Sequence, residues 1–289
     1  MAFTTLISAT ELSAHLNNPD WVIVDCRQDL TNRDAGHAAY LAGHIPTAQF
    51  AHLDDDLAGD KIAPDGTFCG RHPLPERDAF VATLRRWGIN QQTQVVVYDD
   101  HGGMFAARLW WMLRWVGHEA VAVLNGGLPA WIAAANSVTP NLTTVVSLAK
   151  QGNFQLRPSL VTTVNADDIL RDLAQTSRTI IDARAPDRYR GENETLDPVG
   201  GHIPGARNRF FKDNLQADGH FKSAQQLREE FSVLIKDPNK SVMQCGSGVT
   251  ACHNLLALET AGLLGAALYP GSWSEWCADS TRPIATGAA

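Results

Sequence analysis

No stretch of the chain is apolar for long enough to cross a bilayer, and the segment Met1 to Leu12 lacks the basic residues followed by an apolar core that a secretory signal needs. The expectation is a cytoplasmic protein with no membrane partner. Positive charge is also scarce: 24 lysines and arginines stand against 31 acidic residues, and no basic stretch is interleaved with aromatics. The net charge of −7 argues against nucleic acid as the main partner and serves solubility instead. Cysteines are few: Cys26, Cys69, Cys245, Cys252 and Cys277, with no CxxC pair among them. That spacing disfavours a zinc site and a thioredoxin-type redox motif, and the odd number fits reduced thiols better than a disulfide framework.

What is present is a repeat. The strand-like run Trp21-Val22-Ile23-Val24-Asp25-Cys26-Arg27 is answered by Thr179-Ile180-Ile181-Asp182-Ala183-Arg184, each closed by Asp-x-Arg. Gly43-His44-Ile45-Pro46 is answered by Gly201-His202-Ile203-Pro204, Val95-Val96-Val97-Tyr98 by Val242-Met243-Gln244, and Gly126 to Trp131 by Gly271 to Trp276. Four blocks in one order mean two copies of one domain, since solenoid units are much shorter. Apolar strands alternate with helical patterns over Pro75 to Trp87, Phe105 to Val116, Ala224 to Ile235 and Gly248 to Ala261. This predicts an α/β fold: two tandem domains, each a parallel sheet with helices on both faces. The expected division is 1–138, a linker over 139–158 rich in Thr, Ser, Asn and Pro, and 159–289, with Val145 and Val146 available to cling to a domain surface.

The stretch with chemistry in it is Cys245-Gly246-Ser247-Gly248-Val249-Thr250. It follows the short apolar strand Ser241 to Gln244 and opens a stretch with leucines at helical spacing, so Cys245 sits at a strand-to-helix turn. Ligands of open α/β sheets bind beyond the carboxyl ends of strands. Small residues at such a turn let several backbone N–H groups converge, and these donors with the helix dipole stabilise an anion. Cys245 is therefore the candidate thiolate nucleophile, with Gly246 and Gly248 giving backbone freedom and Ser247 adding a hydroxyl. The first copy has Asp99 at the equivalent position, so only the second can use a thiol there.

These motifs together, with Tyr40-x-x-Gly43-His44-Ile45-Pro46 and Gly271-Ser272-Trp273-Ser274-Glu275-Trp276, resemble the two-domain rhodanese superfamily over nearly the whole chain. The loop at 245–250 is similar to the active-site loop of the 3-mercaptopyruvate sulfurtransferases. The resemblance implies a cycle in which Cys245 takes a sulfane sulfur from a small-molecule donor, rests as a persulfide, and passes the sulfur to cyanide or a thiol, a thioredoxin-like protein included, with no metal or organic cofactor. It carries over Gly246, Gly248, Val249 and Thr250 as the cradle, Ser247 with His44 and Asp34 as a proton relay, and Arg188 as a cation for the substrate carboxylate. A second arginine is expected at position 197, where this chain has Asp197; Arg190 is the candidate stand-in. Neutral Gly246 and Ser247 favour 3-mercaptopyruvate over thiosulfate, the alternative donor. Thr47 stands where the family usually has glycine. A cysteine phosphatase would need an arginine ending the loop, and Ala251, Cys252 and His253 supply none. A non-catalytic binding module suits the first copy alone.

Overall fold

A computed structural model describes residues 2–140, 151–175 and 177–288. The chain divides into two compact units. The first comprises Met1–Ala58, Pro75–Leu160 and Gln216–Phe221, and the second Gly59–Leu74, Val161–Leu215 and Lys222–Ala289. Residues 59–74 thus belong with the second unit although they lie in the first half of the sequence.

The sheet of the first unit has the strands β1 (Leu6–Ile7), β2 (Trp21–Asp25), β3 (Gln49–Phe50), β4 (Gln94–Tyr98) and β5 (Val121–Leu124) in the order β1-β5-β4-β2-β3, all pairs parallel. The second unit repeats that order with β6 (Thr162–Thr163), β7 (Thr179–Asp182), β8 (Arg207–Asn208), β9 (Ser241–Gln244) and β10 (Ala267–Leu268), as β6-β10-β9-β7-β8. Side chains alternate faces along a strand, yet Val95, Val96, Val97 and Tyr98 are all fully buried, so β4 is covered on both faces. This is the tandem α/β architecture the repeat predicts.

Helices form where the pattern supports them. Arg77–Arg86 turns Phe80, Val81 and Leu84 inward and ends in Arg85 and Arg86, whose charges suit the negative end of the helix dipole. Ala224–Leu234 begins with a capping box between Ser223 and Gln226 and buries Leu227 and Phe231. Thr250–Thr260 buries every residue from Ala251 to Leu258, and Cys252 within it donates its thiol to the Gly248 carbonyl, a core role. No helix among the described residues is long and apolar enough to cross a membrane.

The described end of the expected linker is not a free spacer. Gly152, Phe154 and Arg157 donate their amides to the carbonyls of Arg85, Ile89 and Val116, and Phe154 is fully buried, all within the first unit. Composition misleads here because one aromatic residue in a polar stretch is enough to anchor it. Val145 and Val146 lie outside the described residues.

Candidate active site

Each unit braces its sheet ends with the same devices. Asp25 takes a bidentate grip from Arg27, which also donates to the Gly43 carbonyl; Asp182, Arg184 and Gly201 repeat this. Buried pairs of this kind hold only because the hydrogen bonds are complete. His44 stacks on Tyr40 at 4.0 Å and pairs its Nδ1 with the Tyr40 carbonyl at 2.8 Å, while His202 does the same with Tyr189 at 3.9 and 2.9 Å. His44 thus does the bracing work of its counterpart, within the first unit. Asp34 is an exposed residue at the start of the helix Ala35–Ala42 and makes no capping hydrogen bond there.

In the second unit β9 delivers Cys245 into a buried turn. The Cys245 amide donates to Ser272 Oγ at 3.1 Å, and its carbonyl accepts the Trp273 amide at 2.9 Å. Gly246 likewise accepts from the Ser274 amide at 2.9 Å, so the helix Ser272–Trp276 clamps the turn along one side. Gly248 has a φ of +74°, and a Cβ there would meet the Pro270 carbonyl oxygen at 2.4 Å, so no side chain fits. Val249 then leads into the helix that begins at Thr250.

Ser247 finds its imidazole partner in His72, not His44. His72 Nδ1 lies 2.8 Å from Ser247 Oγ, both groups buried, and His72 belongs to the second unit through the segment Gly59–Leu74. That segment is fixed by the Arg71 amide donating to Ser274 Oγ and by Gly70, whose Cβ would stand 2.9 Å from the Gly271 carbonyl oxygen. The sequence carries one signal for it, a histidine amid prolines in Arg71-His72-Pro73-Leu74-Pro75, where rigid φ angles hold a loop without periodicity.

Two guanidinium groups flank Gly246: a Cβ built there would lie 2.8 Å from Arg71 Nη2 and 3.5 Å from Arg188 Nη2. Arg188 is gripped by Glu194 through its Nε and Nη2, at 2.7 Å for the shorter Nη2 contact. Asp197 pairs with Arg71 and lies 3.4 Å from Arg188 Nη2. An acidic residue at 197 therefore does not confront the turn as a bare charge. Burial pushes its carboxyl up from the ordinary aspartate value, and Arg71 pulls it back. Burial also works against the charge of Glu194, but the hydrogen bond from Arg188 holds its carboxyl below the usual glutamate range. Arg190 does not stand in beside the turn: it is paired to Glu192 at 2.7 Å and lines a surface cavity of about 350 Å³ with Pro186, Tyr189, Arg207 and Leu234.

Residues 8–134 and 165–279 each match the model of the rhodanese-like domain. The chain belongs to the rhodanese family of sulfurtransferases. It is 44% identical over 290 residues, 99% of this chain and all of the relative, to a Pseudomonas aeruginosa protein named probable 3-mercaptopyruvate sulfurtransferase. It is 36% identical over 245 residues to the thiosulfate sulfurtransferase of Bos taurus, covering 82% of this chain and 78% of that one. Among solved structures, the 3-mercaptopyruvate sulfurtransferase of Leishmania major superposes with a TM-score of 0.85 at 31% identity, over 97% of this chain and 76% of that one. Cys245 opens the strand-to-helix turn of the second matched domain, and Ser247, paired with His72, lies within that turn.

Proposed function

We propose that the protein takes the thiol sulfur of 3-mercaptopyruvate and hands it, as the sulfane sulfur of a persulfide on Cys245, to a thiol or to cyanide. The observation that carries the choice of donor is the Ser247–His72 pair at 2.8 Å in a turn whose own residues Gly246 and Ser247 are neutral. The Cys245 thiolate attacks the donor sulfur, the sulfur–carbon bond breaks, and its electrons leave as the enolate of pyruvate. The proton of the donor thiol passes by way of Ser247 and His72 to the enolate carbon, which gives pyruvate and a persulfide anion on Cys245. The anion rests against the backbone N–H groups of the turn. An acceptor thiolate, from a small thiol or a thioredoxin-like protein, then attacks the outer sulfur and frees Cys245 as thiolate; cyanide leaves as thiocyanate. Arg188, on this reading, holds the donor carboxylate through its planar fork.

Thiosulfate is the second reading, favoured by the two guanidinium groups beside Gly246. The same attack on its outer sulfur releases sulfite, and no carbon then needs a proton. The relay therefore separates the donors. Steady-state turnover of each donor with cyanide as common acceptor should favour 3-mercaptopyruvate in the wild type, and Ser247→Ala should slow that donor about tenfold more than thiosulfate. Preference for thiosulfate in the wild type would reverse the assignment, and equal loss on both donors in Ser247→Ala would remove the relay from the mechanism.

A further inference from the structure

We infer that Gln244, Asp182 and Ile203 bind one buried water molecule, which does in the second unit what the Tyr98 hydroxyl does in the first. Tyr98 ends β4 in register with Asp25 of β2. Its hydroxyl donates to Asp25 Oδ2 at 2.8 Å and accepts the Ile45 amide at 3.1 Å. One oxygen atom thus joins a strand end, the buried Asp25–Arg27 pair and the loop Gly43-His44-Ile45-Pro46. In the second unit β9 ends at Gln244, in register with Asp182 of β7, and Ile203 matches Ile45 in the repeat. The partners of that oxygen are kept while the tyrosine is not. Asp182 Oδ2 accepts from Nε and Nη2 of Arg184, as Asp25 Oδ2 does from Arg27, but among the described residues it takes no further donor. Nor does the amide of the fully buried Ile203 have an acceptor among them. Gln244 is itself fully buried, and among the described residues neither its Oε1 nor its Nε2 has a partner. It lies two positions after Val242, hence on the same strand face, and Val242 shares a core cluster with Ile203.

The donor set selects the ligand. An anion would face the Asp182 carboxylate and a metal cation would face the Ile203 N–H, whereas water can accept from Ile203 while donating to Asp182 Oδ2 and to Gln244 Oε1. Those are about three hydrogen bonds, the usual complement of a buried water. Leaving the same groups buried and unpaired costs more than immobilising one water molecule. Packing explains why a tyrosine does not serve here. The repeat sets Leu128 of the first unit against Trp273 of the second, and Tyr98 and Leu128 share one core. A large residue beside a small one has become a small one beside a large one, which conserves volume but removes the hydroxyl. The Trp273 indole does not replace it, since its Nε1 donates to the Val199 carbonyl. Because Gln244 immediately precedes Cys245, the water anchors the strand end from which the nucleophile continues.

The test is a crystal structure of the full chain at a resolution that shows ordered water. It should contain one water within hydrogen-bond distance of Ile203 N, Asp182 Oδ2 and the Gln244 amide. A Gln244 amide that bonds Asp182 and Ile203 directly, with no water between them, would overturn the inference. Gln244→Met has similar length but no polar tip, and should cut the occupancy of that water by about half or more; an unchanged water would remove Gln244 from the site and overturn the inference as stated. Hydrogen exchange supplies a readout in solution, with Ile45 as the internal reference. Gln244→Met should speed exchange of the Ile203 amide about tenfold relative to the Ile45 amide of the same chain, and an unaltered ratio would contradict the account. The double variant Gln244→Tyr with Trp273→Leu recreates the pair of the first unit. Its tyrosine hydroxyl should take the place of the water, bonded to Asp182 and Ile203, and a hydroxyl found elsewhere with the water retained would also count against the inference.

Discussion

At the end of β4 the chain makes a turn that begins at Asp99, and at the end of β9 it makes one that begins at Cys245. In both the first residue offers its carbonyl to the amide of a later helix, Leu128 in one unit and Trp273 in the other, at 2.8 and 2.9 Å. The contents differ. The fully buried Asp99 carboxylate accepts four amides, from His101 and Gly103 on Oδ1 and from Phe105 and Ala106 on Oδ2, all at 2.8 to 2.9 Å. The donors of the first turn are thus satisfied by the chain's own anion. In the second turn, among the described residues, no carboxylate accepts from the amides of Gly246, Ser247, Val249 or Thr250. One backbone device serves stability in one unit, and on the proposed function the same device in the other holds the anion formed on Cys245.

Removing the internal anion is the most severe way to break this comparison. Asp99→Ala leaves four amides without an acceptor, three of them buried, and should lower the stability of the first unit by about 3 kcal/mol or more, read as the shift of its denaturant midpoint. Asp99→Asn keeps one accepting oxygen and should lose about half as much. Sulfur transfer per folded molecule should be unaltered in both, because the anion of the first turn takes no part in it.

The helix that follows each turn sharpens the contrast. Gly127 in the first unit and Ser272 in the second occupy matching positions with φ of +59° and +52°. At Gly127 the left-handed backbone costs no Cβ clash, whereas Ser272 tolerates it while its hydroxyl accepts the Cys245 amide and donates to the Tyr269 carbonyl at 2.8 Å. Ser272→Gly should leave stability within about 1 kcal/mol, since relief of the backbone offsets the lost hydrogen bonds. It should nevertheless reduce kcat about tenfold by loosening the nucleophile, which a stopped-flow measurement of persulfide formation would separate from folding. An unaltered rate would mean that Ser272 only shapes the turn.

The smallest effect lies at Thr47, whose φ is +71°, while Gly205 has +74° in the other copy. A β-branched residue is penalised there, and glycine returns part of the gain to the unfolded chain. Thr47→Gly should stabilise the first unit by about 0.5 to 1 kcal/mol in a urea titration.

The parts legible in the sequence were those fixed by local pattern and by repetition. The ordered blocks foretold two sheets of the same strand order, the run Val95 to Val97 a buried strand, and the small residues after Gln244 a strand-to-helix turn with Cys245 at its start. Asp25 with Arg27 and Asp182 with Arg184 could be read as structural pairs because both halves have them. What could not be read were contacts between distant residues. His72 meets Ser247 across 175 positions and Arg71 meets Asp197 across 126, and no periodicity or motif spans such distances. The relay expectation for His44 came from the family resemblance, although its block recurs in both copies; its hydrogen bond to the Tyr40 carbonyl matches that of His202 to Tyr189. Asp197 stands where an arginine was expected, and its partner Arg71 lies out of sight in the sequence.

The central claim is that only the second turn carries sulfur. Mass spectrometry of the intact protein and its peptides after exposure to 3-mercaptopyruvate without an acceptor tests it most directly. The account predicts one extra sulfur atom per chain, located on the peptide containing Cys245, removed by cyanide, and absent from a folded Cys245→Ser variant. Sulfur found instead on Cys26, Cys69, Cys252 or Cys277, or turnover that survives in Cys245→Ser, would contradict it.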